Sequence, residues 1–176
     1  MLNKIFIDLD ETLICSSPQL REKKDCDFTI TLEYGGIYDI KVRPSAHDVI
    51  ILAHNYVGIE NVYLLTIANR EYATEISANA NFGFTPDKII SREDINEARF
   101  NTMYGGYQYG TNVNIAHSDN VLIDNLPARE NEQKMIYIGI KPDRYLNITP
   151  YYGTNFKDDD FYTSVEEFLL QKSKEK

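Results

Sequence analysis

With 176 residues, 43% of them hydrophobic and 26% charged, the chain suits one domain large enough to bury a core. Its formal net charge of −9 disfavours broad binding to nucleic acid, whose phosphates call for Lys and Arg. No apolar run approaches the ~20 residues that cross a bilayer, and Cys15 and Cys26 alone make no disulfide framework, so a reducing cytoplasm is the expected setting.

The opening MLNKIFIDLDETL carries charge inside its short apolar stretch, unlike a signal peptide. Lys4 to Asp8 (KIFID) is short, apolar and β-rich, the pattern of a buried strand. A polar stretch centred on REKKD follows. FTITLEY and IYDIKV then alternate about Gly35-Gly36, which predicts a hairpin over 28–42. Ser45 with Asp48 resembles a capping box and predicts a helix towards Asn55. NVYLLT reads as a second buried strand ending at Thr66, and the Ala-rich stretch from Arg70 to about Asn81 as a helix stopped near Gly83.

KII reads as a third strand, with a helix start at Ser91-Arg92-Glu93-Asp94. Met103 to Asn114 is rich in Gly, Tyr and Asn and reads as a loop; Tyr104, Tyr107 and Tyr109 there either pack on the domain or cover a substrate. NVLID is a fourth buried strand ending at Asp124, and MIYIGI a fifth. Ser164 with Glu167 marks a last helix running to about Lys172, with 173–176 as a frayed tail. Buried strands alternating with helices predict an α/β fold, a doubly wound parallel sheet in a three-layer αβα arrangement, as one domain over 1–176.

In such a sheet ligands bind beyond the carboxyl ends of the strands. Three predicted strands finish on useful residues, Asp8, Thr66 and Asp124. Asp8 and Asp10 project towards the same side of an extended segment. Carboxylates so close repel, so one is partly protonated or neutralised by a metal. Both outcomes serve phosphoryl transfer: a carboxylate can attack phosphorus, and a protonated neighbour can donate to the leaving oxygen. A bare DxD is more often a polar strand-to-helix turn; the three strand ends together favour chemistry. His47, His54 and His117 are scattered without metal-ligand spacing, and Cys15 reads as a packing residue.

FIDLDETL resembles the first signature of the haloacid dehalogenase (HAD)-like hydrolases, an apolar strand running into DxDx[TV]. The ET form is similar to the branch of carboxy-terminal-domain phosphatases and NLI-interacting-factor-like proteins. VRPSAHDVI resembles that branch's RP-led helix, LLTIANREYATEI its second signature, and VLIDNLP its fourth. These matches run in order from Ile5 to Pro127.

The resemblance implies a Rossmann-like phosphatase without a large cap domain, and a role for each matching residue. Asp8 becomes the nucleophile and a metal ligand, and Asp10 the general acid/base with its carbonyl on the metal. Thr66 becomes a hydroxyl anchor for phosphate. Asp124 completes a Mg²⁺ site of oxygen ligands, supported by Asn125. One part departs. The family carries a Lys, sometimes an Arg, shortly before the fourth strand, and no Lys lies between Lys88 and Lys134. Arg92 and Arg99 are the candidates to replace it, since a guanidinium grips phosphate with two prongs. The implied substrate is a phosphoprotein, a nucleotide or a phosphorylated nucleic-acid end. The alternative is a catalytically silent relative that binds a phosphorylated partner or serves a structural role, because the Lys is missing.

Overall fold

The computed structural model describes residues 2–18, 25–96, 116–153 and 160–175. Its centre is a parallel sheet of five strands: β1 (Ile5–Ile7), β5 (Val62–Leu65), β6 (Ile89–Ile90), β7 (Val121–Asp124) and β8 (Tyr145–Asn147), in the order β6-β5-β1-β7-β8. Period-two alternation sends side chains to opposite faces. Ile5, Ile7, Val62, Leu64, Val121 and Ile123 meet helices α1 (Ala46–Val57) and α2 (Arg70–Asn79) and the C-terminal helix over Phe161–Lys174. Phe6, Leu65, Ile90 and Leu122 face the other way, onto Ile95, Met135 and Ile138. Burial on both faces explains why these strands read as unbroken apolar runs.

A second, antiparallel sheet packs beside the first, in the order β2 (Ile14–Pro18), β4 (Ile37–Val42), β3 (Phe28–Thr31). β3 and β4 form the expected hairpin, closed where Gly35 adopts φ 88°. β2 adds a third strand from the segment read as polar connection. α1 buries Ala46, Val49, Ile50 and Ala53, one face at helical spacing. Ser45 takes its N-cap position without a side-chain cap bond. Ser91 begins the next helical turn as expected, its backbone N–H donating to Asp94 Oδ2 at 2.7 Å, and residues 92–96 are helical.

Three expectations are corrected. MIYIGI is not a strand: Glu132–Ile138 is helix α3, closed by Gly139 at φ 73°. Its inward residues are Asn131, Lys134, Met135 and Ile138, while Ile136 is 56% exposed. That spacing is helical, and a short apolar run cannot be told from a strand by hydrophobicity alone. The fifth strand is instead β8, which pairs with β7. α2 stops before Gly83: Asn81 is left-handed at φ 55°, and Phe82 N–H reaches back to Ser77 O at 3.0 Å, a Schellman closure. The last helix, α4, runs from Phe161 through Lys174 with Asp160 at its N-cap, so Ser164 lies inside it. Beyond it Glu175 pairs with Lys172 at 2.6 Å and Arg144 at 3.2 Å. The Tyr-rich loop lies outside the described residues. Among those described, no helix is long and apolar enough to cross a membrane.

Candidate functional site

The strand order fixes where a site can form. From central β1 the chain adds β5 and β6 on one side, then crosses over to add β7 and β8 on the other. Connections from β1 and β7 therefore leave in opposite directions and open a crevice at their carboxyl ends. Asp8 directly follows β1 and Asp124 ends β7, so both carboxylates stand at that crevice, with Asp8 N–H bound to Ile123 O at 3.0 Å. Thr66 follows β5, the strand on the other flank of β1.

Asp8 and Asp124 are joined by a residue that the sequence reading missed. Lys134 Nζ donates to Asp8 Oδ1 at 2.6 Å and to Asp124 Oδ2 at 2.7 Å, with its side chain 2% exposed. Burial opposes the ammonium charge, but Asp8 and Asp124 outweigh it and hold the pKa of Lys134 above the usual lysine range. The Asp8 carboxyl is pushed up to about 7, first by burial; Lys134 draws it down, while Asp124 and Asp10 push it up. Its Oδ2 accepts from Thr12 Oγ1 at 3.1 Å, and Asp124 Oδ1 accepts from Leu126 N–H at 2.9 Å.

The loop after β1 carries the rest. Asp10 accepts at Oδ1 from the Tyr72 phenol at 2.6 Å, and burial raises the pKa of its carboxyl. Glu11 adopts the left-handed region at φ 59°, unusual for a side-chain-bearing residue. Its Oε2 accepts from Asn125 Nδ2 at 3.0 Å, while Asn125 Oδ1 accepts from Thr12 at 3.3 Å. Both ends of the Asn125 amide thus hold this loop. Arg43, fully buried, donates to Thr12 O at 3.3 Å and Thr149 O at 3.1 Å, with its guanidinium 4.2 Å from the centre of the Phe161 ring. The loop is clamped between the sheet and the C-terminal segments. Thr66 is 1% exposed, and its hydroxyl oxygen accepts from Ala68 N–H at 3.1 Å, leaving its proton to donate.

The structure therefore gathers Asp8, Asp10, Thr66, Asp124 and Asn125 at one end of the sheet. Arg92 is exposed, its backbone N–H bound to Ala68 O at 3.0 Å on the rim of the Thr66 loop. Arg99 lies outside the described residues. The missed signal for Lys134 was periodicity: in a helix it shares the apolar face with Met135 and Ile138, and a lysine there calls for a carboxylate partner. Tyr72 lies within the LLTIANREYATEI match, which assigned it no role.

A divalent cation fits this donor set. Asp8 and Asp124 share one ammonium in a buried place with Asp10 near them, and all three offer hard oxygens. Among the described residues no three His, Cys, Asp or Glu side chains cluster to hold a metal. Such an ion would draw on two carboxylates, a backbone oxygen and water, which suits a cation that keeps part of its hydration shell.

No curated protein matches the chain. Among solved structures it resembles a variant of the fission yeast RNA polymerase II CTD phosphatase Fcp1 bound to beryllium fluoride, with TM-score 0.56 and 14% identity, over 97% of this chain and 50% of that one. A structure of Fcp1 described as an essential RNA polymerase II CTD phosphatase matches with TM-score 0.56 and 16% identity, over 98% of this chain and 50% of that one. The chain thus spans about half the length of these structures, and at such identities the likeness is one of fold. The NLI interacting factor-like phosphatase family matches residues 3–176, nearly the whole length, and the chain belongs to that family.

Proposed function

We propose that the chain is a Mg²⁺-dependent phosphomonoesterase in which Asp8 attacks phosphorus and passes through an aspartyl-phosphate. The observation that carries this reading is the meeting of Asp8 and Asp124, from the tips of adjacent parallel strands, on one buried ammonium. Asp8, Asp124 and the Asp10 carbonyl, with Asn125 beside them, would hold Mg²⁺, which would keep Asp8 ionised and offset its repulsion from phosphate. Lys134 supplies the positive charge whose apparent absence favours a silent relative.

An Asp8 oxygen forms a bond to phosphorus as the bond to the leaving oxygen breaks. Asp10, whose pKa burial raises, gives a proton to that oxygen. The Asp10 carboxylate then takes a proton from water as the water oxygen attacks phosphorus, which frees phosphate and restores Asp8. Thr66 donates its hydroxyl to a phosphoryl oxygen, and Lys134 balances the charge that builds there. The solved relatives are named as phosphatases of the RNA polymerase II CTD, and with a net charge of −9 this favours a phosphoprotein over a nucleotide or a nucleic-acid end.

The test is hydrolysis of para-nitrophenyl phosphate by the intact chain in Mg²⁺ and in EDTA, beside Asp8→Asn. Turnover is expected only with Mg²⁺ and is abolished in the variant, whose fold persists by circular dichroism. Wild-type rates from Asp8→Asn would refute the assignment of the nucleophile.

A further inference from the structure

We propose that Tyr72 is a positioning residue for proton transfer: its phenol pins Oδ1 of Asp10 and so dedicates Oδ2 to the leaving oxygen of the substrate. The inference rests on Asp10 being the acid/base described above. Tyr72 lies in the first turn of α2, 7% exposed, with its backbone N–H held by the Asn69 N-cap side chain at 2.8 Å. Its ring is braced edge-on by Tyr38 of β4, with centroids 5.3 Å apart and planes at 78°. The phenol thus has a fixed origin from which it reaches Asp10 at 2.6 Å.

A carboxyl group on a loop turns about its last torsion, which is soft and roughly two-fold. Left to turn, it presents either oxygen, and its proton faces the leaving group only part of the time. An O–H donated to Oδ1 makes that oxygen the less basic of the two, which favours Oδ2 as the seat of a proton carried by Asp10. Tyr72 acts through the Asp10 carboxyl, which it touches, rather than on the attacking atom. A packing role alone would predict the same loss for every substrate, whereas a role in proton donation predicts a loss that grows with the basicity of the leaving group.

The experiment compares Tyr72→Phe with wild type on phenyl phosphate, whose phenolate is a poor leaving group, and on 2,4-dinitrophenyl phosphate, whose leaving group departs without a proton. Tyr72→Phe should lower kcat/KM, which reports the step that expels the leaving group, about tenfold or more on phenyl phosphate, a part of the roughly 10²–10⁴-fold that general acid catalysis supplies, and several-fold less on the dinitrophenyl ester. The variant should remain folded by circular dichroism. Adding Tyr72→Phe to Asp10→Asn should cost nothing further on phenyl phosphate, since the two act as one unit. Equal losses on both esters, or independent losses in the double variant, overturn the inference and leave the phosphatase reading intact. A wild-type chain that cleaves neither ester in Mg²⁺ overturns that reading, and this inference with it.

Discussion

Replacing Lys134 with Met removes one charge while keeping an unbranched apolar stem, and the structure sets the size of the effect. The ammonium is 2% exposed and lies 2.6 Å from Asp8 and 2.7 Å from Asp124. Without it two buried carboxylates face each other with no cation between them. Breaking a buried pair in this way costs about 3–5 kcal/mol. At roughly 2–4 °C per kcal/mol for a chain of this size, melting should fall by about 6–20 °C in EDTA. Adding Mg²⁺ should restore part of the loss, because a divalent ion can meet both carboxylates. Lys134→Met with Asp124→Asn should be more stable than Lys134→Met alone, since the second change relieves the exposed repulsion. On para-nitrophenyl phosphate the single variant should lose at least about 10²-fold in kcat, the scale for one transition-state stabiliser. Calorimetry and steady-state kinetics read both quantities. A Lys134→Met protein that melts with wild type and turns over normally refutes the reasoning.

Three other predictions use different parts of the molecule. Asp8 has a folded pKa of about 7 against an ordinary 3.8, so its protonation favours the folded state. That contribution is complete below the ordinary value and is lost as pH rises through about 7, at most roughly 4 kcal/mol. In EDTA, wild type should therefore lose stability relative to Asp8→Asn across that window, and parallel melting curves against pH would contradict the assignment. On α3, Ile136→Lys should change stability by less than about 0.5 kcal/mol, whereas Met135→Lys should cost several times more; similar costs at both would argue against helical spacing. Arg92→Ala should change KM more than kcat, because Arg92 is exposed on the rim beside the Thr66 loop; a kcat loss matching that of Lys134→Met would place it at the chemistry instead.

Strands β1, β5 and β7 were legible because burial on both faces leaves uninterrupted Ile, Leu and Val, ended by polar residues where the sheet meets its crevice. The hairpin was legible from alternation about two glycines. β8 was not: Tyr145–Asn147 is a three-residue edge strand without an apolar run, set by pairing with β7 rather than by its own composition. β2 escaped for a similar reason, since ICSSP is half-polar and finds its register only against β4. MIYIGI misled because Ile and Tyr favour strands locally, while tertiary packing selects the helix. In the site, residues anchored to strand ends could be placed from sequence. Partners arriving from helices, Tyr72 and Lys134, depend on which helix faces the crevice, and that is decided in three dimensions.

For Lys134 that dependence has a physical basis. The place that needs positive charge is set by the sheet, at the crevice where the chain leaves β1 and β7 in opposite directions. Any element packed over that crevice can deliver it, before or after β7 in the sequence. α3 is such an element: it follows β7 through a short loop, buries Met135 and Ile138 against the sheet, and carries Lys134 on the same face. Taking an ammonium through an apolar face is unfavourable in isolation. Here it is offset because Nζ ends between two carboxylates, which hold the ammonium charged. Order along the chain is therefore a weak guide to such a residue; a lysine at a buried position on a helix that faces acidic strand ends is a stronger one.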